Sequence, residues 1–271
     1  MSNNTLITII ILQYNRPDLT IQLLESVISK EGENVFERYR FILIDNASEN
    51  SQEEKIKAKF PAVEFWKFEE NLGFAKAHNR VLTSLENAEW VLLINNDCIL
   101  LNDAITKTVT AAQNFDADFA TCALYNEDLS SQINYSTTPT PLKRLFLNAT
   151  GMTRLWSRYV RHKRKAKVGY INGAFLLLKF SAFKEVGFFT EDFFMFTEDL
   201  DLALRLDKSN YKGYRFSEGQ IIHLGGSTAV SAWKESERSK LLGRQLIHCY
   251  NKHFPRWQVA LWQKLYTVLH K

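Results

Sequence analysis

Glu198, Asp199 and Asp201 sit in FFMFTEDLDLALRL, a run from Phe193 to Leu206 that is otherwise mostly aromatic and aliphatic. An isolated carboxylate in such surroundings costs several kcal/mol or keeps its proton to higher pH. These acids therefore either face water at the start of a helix or are held, at a cost in stability, at a reaction centre. If LDLALRL is helical, Asp199 and Asp201 lie about 200° apart around its axis, at ~100° per residue, and cannot face one ligand. Asp201 then suits the helix N-terminus or an i,i+4 pair with Arg205. Further polar sets close three apolar runs: Gln13-Tyr14-Asn15-Arg16, Asp45-Asn46-Ala47-Ser48 and Asn95-Asn96-Asp97. Neither G-x-G-x-x-G after the first strand nor G-x-x-x-x-G-K-[ST] anywhere is present, so a bound diphosphate would lack a glycine-rich cradle. A metal is the usual substitute; hard cations take carboxylate oxygens, and Asp97 is the first candidate ligand.

The elements that must position these groups alternate along the chain. TLITIIILQYN reads as a buried strand. RPDLTIQLLESVISK reads as a helix, with Pro17 in its first turn and Leu19, Leu23, Leu24 and Val27 at helical spacing. Strands follow at RFILIDN, VEFWKF and EWVLLINND, separated by helices in SENSQEEKIKAKF and GFAKAHNRVLTSLEN. Continuous apolar strands between helices predict a doubly wound α/β unit, its parallel sheet covered on both faces. Ligands of such sheets bind beyond the carboxyl ends of the strands, where the three polar sets fall. One such terminus is an ordinary loop or cap, with Ser48 or Asn50 capping the next helix, for example. Three on one edge predict a single cleft. DADFATCALYN reads as a further strand and 126–167 as a polar, basic stretch. VGYINGAFLLLKFSAF is a strand leading into a helix, YRFSEGQIIHLGG a late strand, and Ser236 to Lys271 helical with a break near Pro255.

With 271 residues, 45% of them hydrophobic, the chain suits one large domain, or a domain with an appendage, and ample core. Cys98, Cys122 and Cys249 share no close spacing, which argues against a disulfide framework and for a reducing cytosol. The N-terminal run lacks a basic n-region and a cleavage site, and no apolar segment reaches the ~18 residues of a membrane span. The net charge of +4 conceals segregation. Leu129 to Lys184 holds eleven Lys/Arg and no acid, and Lys234 to Lys271 eight basic against two acidic residues. Such segments suit an anionic partner, and a solvated basic loop explains the first equally well.

YNR, IDNASENS, ENLGFAKAHNR, LLINND, YINGAFLLLK and FTEDLDLALRL occur in this order over roughly residues 5 to 226. Together they resemble the inverting family 2 glycosyltransferases, most nearly the bacterial rhamnosyltransferase-like branch that builds surface polysaccharides. The resemblance implies a GT-A fold: α/β, with a mostly parallel central sheet and helices on both faces. It divides the chain into a domain over 1–226 and an amphipathic helical tail over 227–271. Within the domain, 1–115 binds nucleotide and 116–226 binds acceptor, with a basic loop at 129–167. It implies that Asp45 contacts the nucleobase. It also aligns Asn95-Asn96-Asp97 with the family's D-x-D motif, an amide replacing the first acid. Asp97 is then the carboxylate ligand of a Mg²⁺ or Mn²⁺ bridging the donor diphosphate, and Asn95 bonds a ribose or a metal-bound water. His223 matches a late-strand histidine ligand; outside the resemblance, a lone His between apolar residues reads as a core or capping residue. Thr197-Glu198-Asp199 matches a T-E-D motif whose aspartate is the general base, so Asp199 takes that role and Glu198 contacts the acceptor or orients the site.

Tyr14, Asn15, Arg16 and Asn96 fall at the donor cleft. Asn71, Gly73 and Lys76 are expected near the nucleotide or donor sugar, Arg80 near a phosphate, and Gly173 and Ala174 where a sugar passes closely. Loop, surface or packing roles explain these residues as well. The implied activity is a metal-dependent hexosyl transfer, of rhamnose by resemblance, from a dTDP- or UDP-sugar to a saccharide acceptor. A single base with in-line displacement inverts the anomeric centre. The basic stretches suit a polyprenyl-diphosphate-linked acceptor at the inner face of the membrane, reached by a cytoplasmic, peripheral protein. In the tail, Trp257, Leu261, Leu265 and Leu269 recur at i,i+4, as in an interfacial helix, a homodimer contact or a helix packed on its own domain. Two other classes stay open. A nucleotidyltransferase usually carries a glycine-rich basic loop that QYNRPDLT lacks, and Asn95 leaves room for a carbohydrate-binding pseudoenzyme. Nucleic acid is not an expected partner, because RHKRKAK has no accompanying motif.

Overall fold

The first strand, β1 (Ile7–Gln13), sends Ile9 and Ile11 into one core and Ile10 into another, all three fully buried. That alternation is the two-residue period of a strand covered on both faces. Each such isoleucine stabilises the fold by about 1.5–3 kcal/mol. The structure, a computed structural model, describes residues 7–225 and 235–269. From β1 the chain runs through α1 (Pro17–Glu31) and the single turn α2 (Val35–Arg38) to β2 (Arg40–Asp45). α3 (Glu53–Lys59) leads to β3 (Glu64–Lys67), and α4 (Gly73–Leu82) to β4 (Trp90–Asn95). These strands pair in parallel in the order β3-β2-β1-β4, so the ends of β1, β2 and β4 share one edge.

Next come β5 (Cys98–Leu100), α5 (Ala104–Asn114) and β6 (Phe119–Tyr125). The stretch expected to be a basic loop instead folds as β7 (Ser131–Gln132), β8 (Tyr135–Ser136), α6 (Pro141–Thr150), α7 (Met152–Arg161) and β9 (Lys165–Val168). Its charge masked an amphipathic helix: Val160 is buried and Trp156 packs beside it in the second core, while Arg158 and Arg161 face water. Then follow β10 (Tyr170–Ile171), β11 (Phe175–Lys179), α8 (Phe180–Glu185), α9 (Glu198–Lys208), β12 (Gly213–His223), α10 (Glu235–His253) and α11 (Arg256–Leu269). β11 inserts antiparallel between β4 and β6, and β12 runs parallel to β6. The sheet is thus continuous from the first half into the second, and it carries β12 beside the end of β4.

A third core joins Phe193, Leu200 and Leu204 to Cys249, Tyr250, Val259 and Trp262. The two C-terminal helices therefore share their apolar faces with α9. The boundary expected at 226–227 lies outside the described residues.

Candidate active site

A cavity of about 940 Å³ opens where β1, β2 and β4 end and the start of α9 faces them. Its first end is built by β4 and β12. β4 delivers Asn95, Asn96 and Asp97, and β12 ends at His223, whose Nε2 lies 3.3 Å from Asp97 Oδ1. Gln132 orients that ring. Its amide N–H groups donate to Asn126 Oδ1 (2.9 Å) and to the His223 carbonyl (3.2 Å). Its Oε1 therefore turns to His223 Nδ1 at 2.7 Å. A carbonyl oxygen only accepts, so Nδ1 carries a proton and Nε2 is the ring nitrogen turned to Asp97. Asn95 Nδ2 is 3.5 Å from the same nitrogen.

One carboxylate and one imidazole, with an amide alongside, fit a divalent cation whose other ligands come from a diphosphate and water. Cys98 belongs to the same cluster, but burial pushes its thiol well up and its Sγ donates to the Ala174 carbonyl. It stays a thiol and outside the donor set.

The second end is the start of α9. Phe196 and Thr197 precede it with φ of 69° and 73°, left-handed values that cost non-glycine residues about 1–3 kcal/mol each and concentrate at functional sites. That turn brings Glu198 and Asp199 to the cavity wall. Asp199 Oδ2 accepts the Tyr170 hydroxyl at 2.8 Å, and Oδ1 accepts the Leu200 N–H at 2.7 Å. Burial raises the Asp199 pKa, and these hydrogen bonds oppose it. Burial, and then the charge of Asp199, push Glu198 further, well above the usual carboxylate range. Glu198 Oε2 has no hydrogen-bond partner among the described residues. The two adjacent carboxyl groups are thereby set apart, Glu198 holding its proton to higher pH than Asp199.

Asp201 turns away, as the helical period requires, and makes the expected i,i+4 pair with Arg205, but in a buried network. It is 0% exposed and accepts Thr190 Oγ1 (2.6 Å), Arg205 Nε (2.8 Å) and His253 Nε2 (2.7 Å). Burial pushes its carboxyl up. The bonds from His253, Thr190 and Arg205, with the Arg205 charge, outweigh that and hold it well below the usual range. The network ties α9 to α10.

Tyr14, Asn71, Gly73, Asn95, Asn96, Asp97, Gly173, Ala174, Glu198, Asp199 and His223 all line the cavity. Five expected residues do not. Asp45 is fully buried and accepts Gln13 Nε2 (2.5 Å) and the Ser48 N–H (2.8 Å), so its carboxylate holds the turn after β2 and lies outside the cavity lining. Asn15 is exposed and binds the facing turn, accepting the Glu49 N–H at 2.9 Å. Arg16 pairs with Asp18 at 2.8 Å. Lys76 and Arg80 lie on the exposed side of α4. Gly73 is required by the backbone: its φ is +74°, and a Cβ there would lie 2.1 Å from the Phe194 carbonyl oxygen. Gly173 abuts the Phe74 ring, 3.0 Å from the place of a Cβ.

Sequence reasoning missed Asn46, which locks the Asn71–Gly73 turn by donating to Asn71 Oδ1 and accepting the Leu72 N–H, both at 2.9 Å. Its place at a strand end was the available signal. It also missed Tyr170, Arg144 and the wall formed by Leu242, Leu246 and Trp262. Nothing local marks these as cavity residues.

The sequence pattern of the family described as Glycosyl transferase family 2 matches residues 8–187. An N-acetylglucosaminyl-diphospho-decaprenol L-rhamnosyltransferase of Mycobacterium tuberculosis is 25% identical over 205 residues, 67% of this chain. The chain spans 65% of the length of that relative. Rhamnosyltransferase WbbL of Escherichia coli K12 is 23% identical over 225 residues, covering 80% of this chain and 83% of its own. Among solved structures, the mannosyltransferase PcManGT of Pyrobaculum calidifontis, in complex with GDP-Man and Mn²⁺, superposes with a TM-score of 0.64 at 15% identity. It covers 91% of this chain and 63% of its own. At that identity the likeness is one of fold, the GT-A type.

Proposed function

The chain belongs to glycosyl transferase family 2, and on that premise we propose that it transfers a sugar from a nucleoside diphosphate to a lipid-linked saccharide. The donor is dTDP-rhamnose or a UDP-hexose, the acceptor is carried on a polyprenyl diphosphate, and the anomeric centre inverts. The product enters surface polysaccharide. One observation carries this reading: Asp97 with His223, and Glu198 with Asp199, reach the same cavity from different elements. The names of the two rhamnosyltransferase relatives support the sugar and, for the mycobacterial one, the lipid carrier.

Each residue then has a task. Asp97, His223 Nε2 and the Asn95 amide would hold a Mg²⁺ or Mn²⁺, which would supply Lewis-acid stabilisation to a diphosphate leaving group. Asp199, held by Tyr170 and Leu200, accepts the proton of the acceptor hydroxyl. Glu198, kept protonated, donates a hydrogen bond to the acceptor. Leu200, Leu246 and Trp262 exclude water and so limit hydrolysis of the donor. Trp257, Leu261 and Leu265 are exposed along α11, an apolar face that suits a peripheral position on the inner face of the membrane and a homodimer contact alike. Among the described residues no helix is long and apolar enough to cross it.

The test is nucleotide release from a panel of nucleotide sugars with and without Mn²⁺, followed by transfer to a synthetic lipid-linked acceptor and NMR assignment of the product anomer. Release confined to one donor and dependent on metal is the expected result. Failure to bind any nucleoside diphosphate under metal would overturn the proposal.

A further inference from the structure

Beyond Asp199 the cavity wall changes character. Leu242, Leu246 and Ile247 of α10 and Trp262 of α11 form an apolar surface, and Arg144 of α6 is the one Lys or Arg among the described lining residues. The lining also includes the acids Asp97, Glu198 and Asp199. Arg144 lies beside Tyr250, which is fully buried and whose hydroxyl donates to the Pro139 carbonyl at 2.8 Å. A guanidinium has five N–H donors in a fixed fork that matches phosphate oxygens. The donor diphosphate belongs with Asp97 and His223, so a second cation beside a hydrocarbon wall answers a second anion, one joined to a hydrocarbon.

We infer that the α6–α10–α11 side of the cavity is a subsite for the lipid diphosphate of the acceptor. Arg144 binds its phosphate, and Leu242, Leu246 and Trp262 take the first carbons of its chain. This rests on the transferase reading above and assigns residues to its acceptor. The elements around the subsite fit the role. α11 packs on α6, and the two helices present Phe146, Trp257 and Leu261 to the outside, the side from which a chain buried in a bilayer arrives.

The experiment is calorimetric titration of the full chain in EDTA, so that Asp97 and His223 recruit no diphosphate through a metal. Farnesyl diphosphate, farnesol and inorganic pyrophosphate are the probes, and dTDP and UDP with Mn²⁺ are the separate controls. Farnesyl diphosphate is expected to bind at least ten times more tightly than pyrophosphate. Arg144→Gln should weaken it at least about tenfold, the scale of a charged hydrogen bond, and leave farnesol unchanged. Arg144→Lys, which keeps the charge but loses the fork, should fall between. Leu242→Ser should weaken both farnesyl compounds. Equal affinity for pyrophosphate and farnesyl diphosphate would overturn the subsite, as would wild-type protein that binds dTDP or UDP but no farnesyl diphosphate. A loss of dTDP binding in Arg144→Gln would move Arg144 to the donor and also overturn it. If wild-type protein binds no farnesyl diphosphate and, with Mn²⁺, neither dTDP nor UDP, the transferase reading itself has failed.

Discussion

Replacing Tyr170 with Phe removes one oxygen and leaves the ring that packs beside α9. The lost bond is the 2.8 Å donation to Asp199 Oδ2. A hydrogen bond to a charged group contributes about 1.5–3 kcal/mol, and 1.36 kcal/mol equals one tenfold step in proton affinity. The sign follows from which form the phenol favours. Tyr170 donates to the ionised carboxylate and so opposes the burial that raises the Asp199 pKa. Without it Asp199 holds its proton to higher pH, and a protonated carboxyl is no base. The acid limb of kcat/KM for nucleotide release should therefore move to higher pH. On that limb the deficit should be roughly ten- to hundredfold, closing as pH rises towards the plateau. A pH–rate profile of wild type and Tyr170→Phe over about pH 5 to 9 reads this directly. A deficit equal at every pH, or an acid limb that stays in place, would refute the assignment of Tyr170 to the charge state of Asp199.

Other outcomes follow from the same geometry. Asp199→Asn should keep nucleotide affinity and lose turnover by at least ~10², the low end for a general base; undiminished turnover would remove it from that role. His223→Ala should weaken metal-dependent nucleotide binding. Gln132→Leu should lower Mn²⁺ affinity by about 10–100-fold with His223 still present, because the ring loses the partner that fixes its tautomer; titration of free Mn²⁺ by electron paramagnetic resonance measures both. Asp201→Asn leaves the half-buried Arg205 and His253 facing an amide and should destabilise the fold by about 3–5 kcal/mol in urea unfolding. Because the folded-state pKa of Asp201 is lowered, its contribution is present above the unfolded value and lost as pH falls through the folded one. The difference between variant and wild type should thus be full at neutral pH and shrink under strong acid.

Much of the donor end was legible along the chain. The apolar strands and the polar groups that end them have a local period, and parallel pairing brings those ends to one edge whatever else the chain does. Asn95, Asn96 and Asp97 follow from that, and so does the opposite orientation of Asp199 and Asp201, which needs only the helical repeat. Asp45 shows the limit. It stands at a strand end like Asp97, yet Gln13 and Ser48 claim its carboxylate, and neither bond has a signature in the residues around it. The stretch over 129–167 misled for a different reason: eleven cations without an acid from Leu129 to Lys184 describe a surface, and a helix face buries only a few residues beneath one.

By itself, the order of the residues determined the α/β alternation and the edge at which the polar strand ends collect, because periodicity is a local property; the roles proposed for Asp97 and Asp199 rest on the resemblance to the family. Tertiary structure alone decided the rest. It set Tyr170 on Asp199, Gln132 on His223 and His253 on Asp201, pairs separated by 29, 91 and 52 positions. It also brought α10 and α11 back to close the cavity. Such contacts depend on where distant segments come to rest, and the free energy that holds them is shared among burial, charge and hydrogen bonds that no single stretch of chain contains.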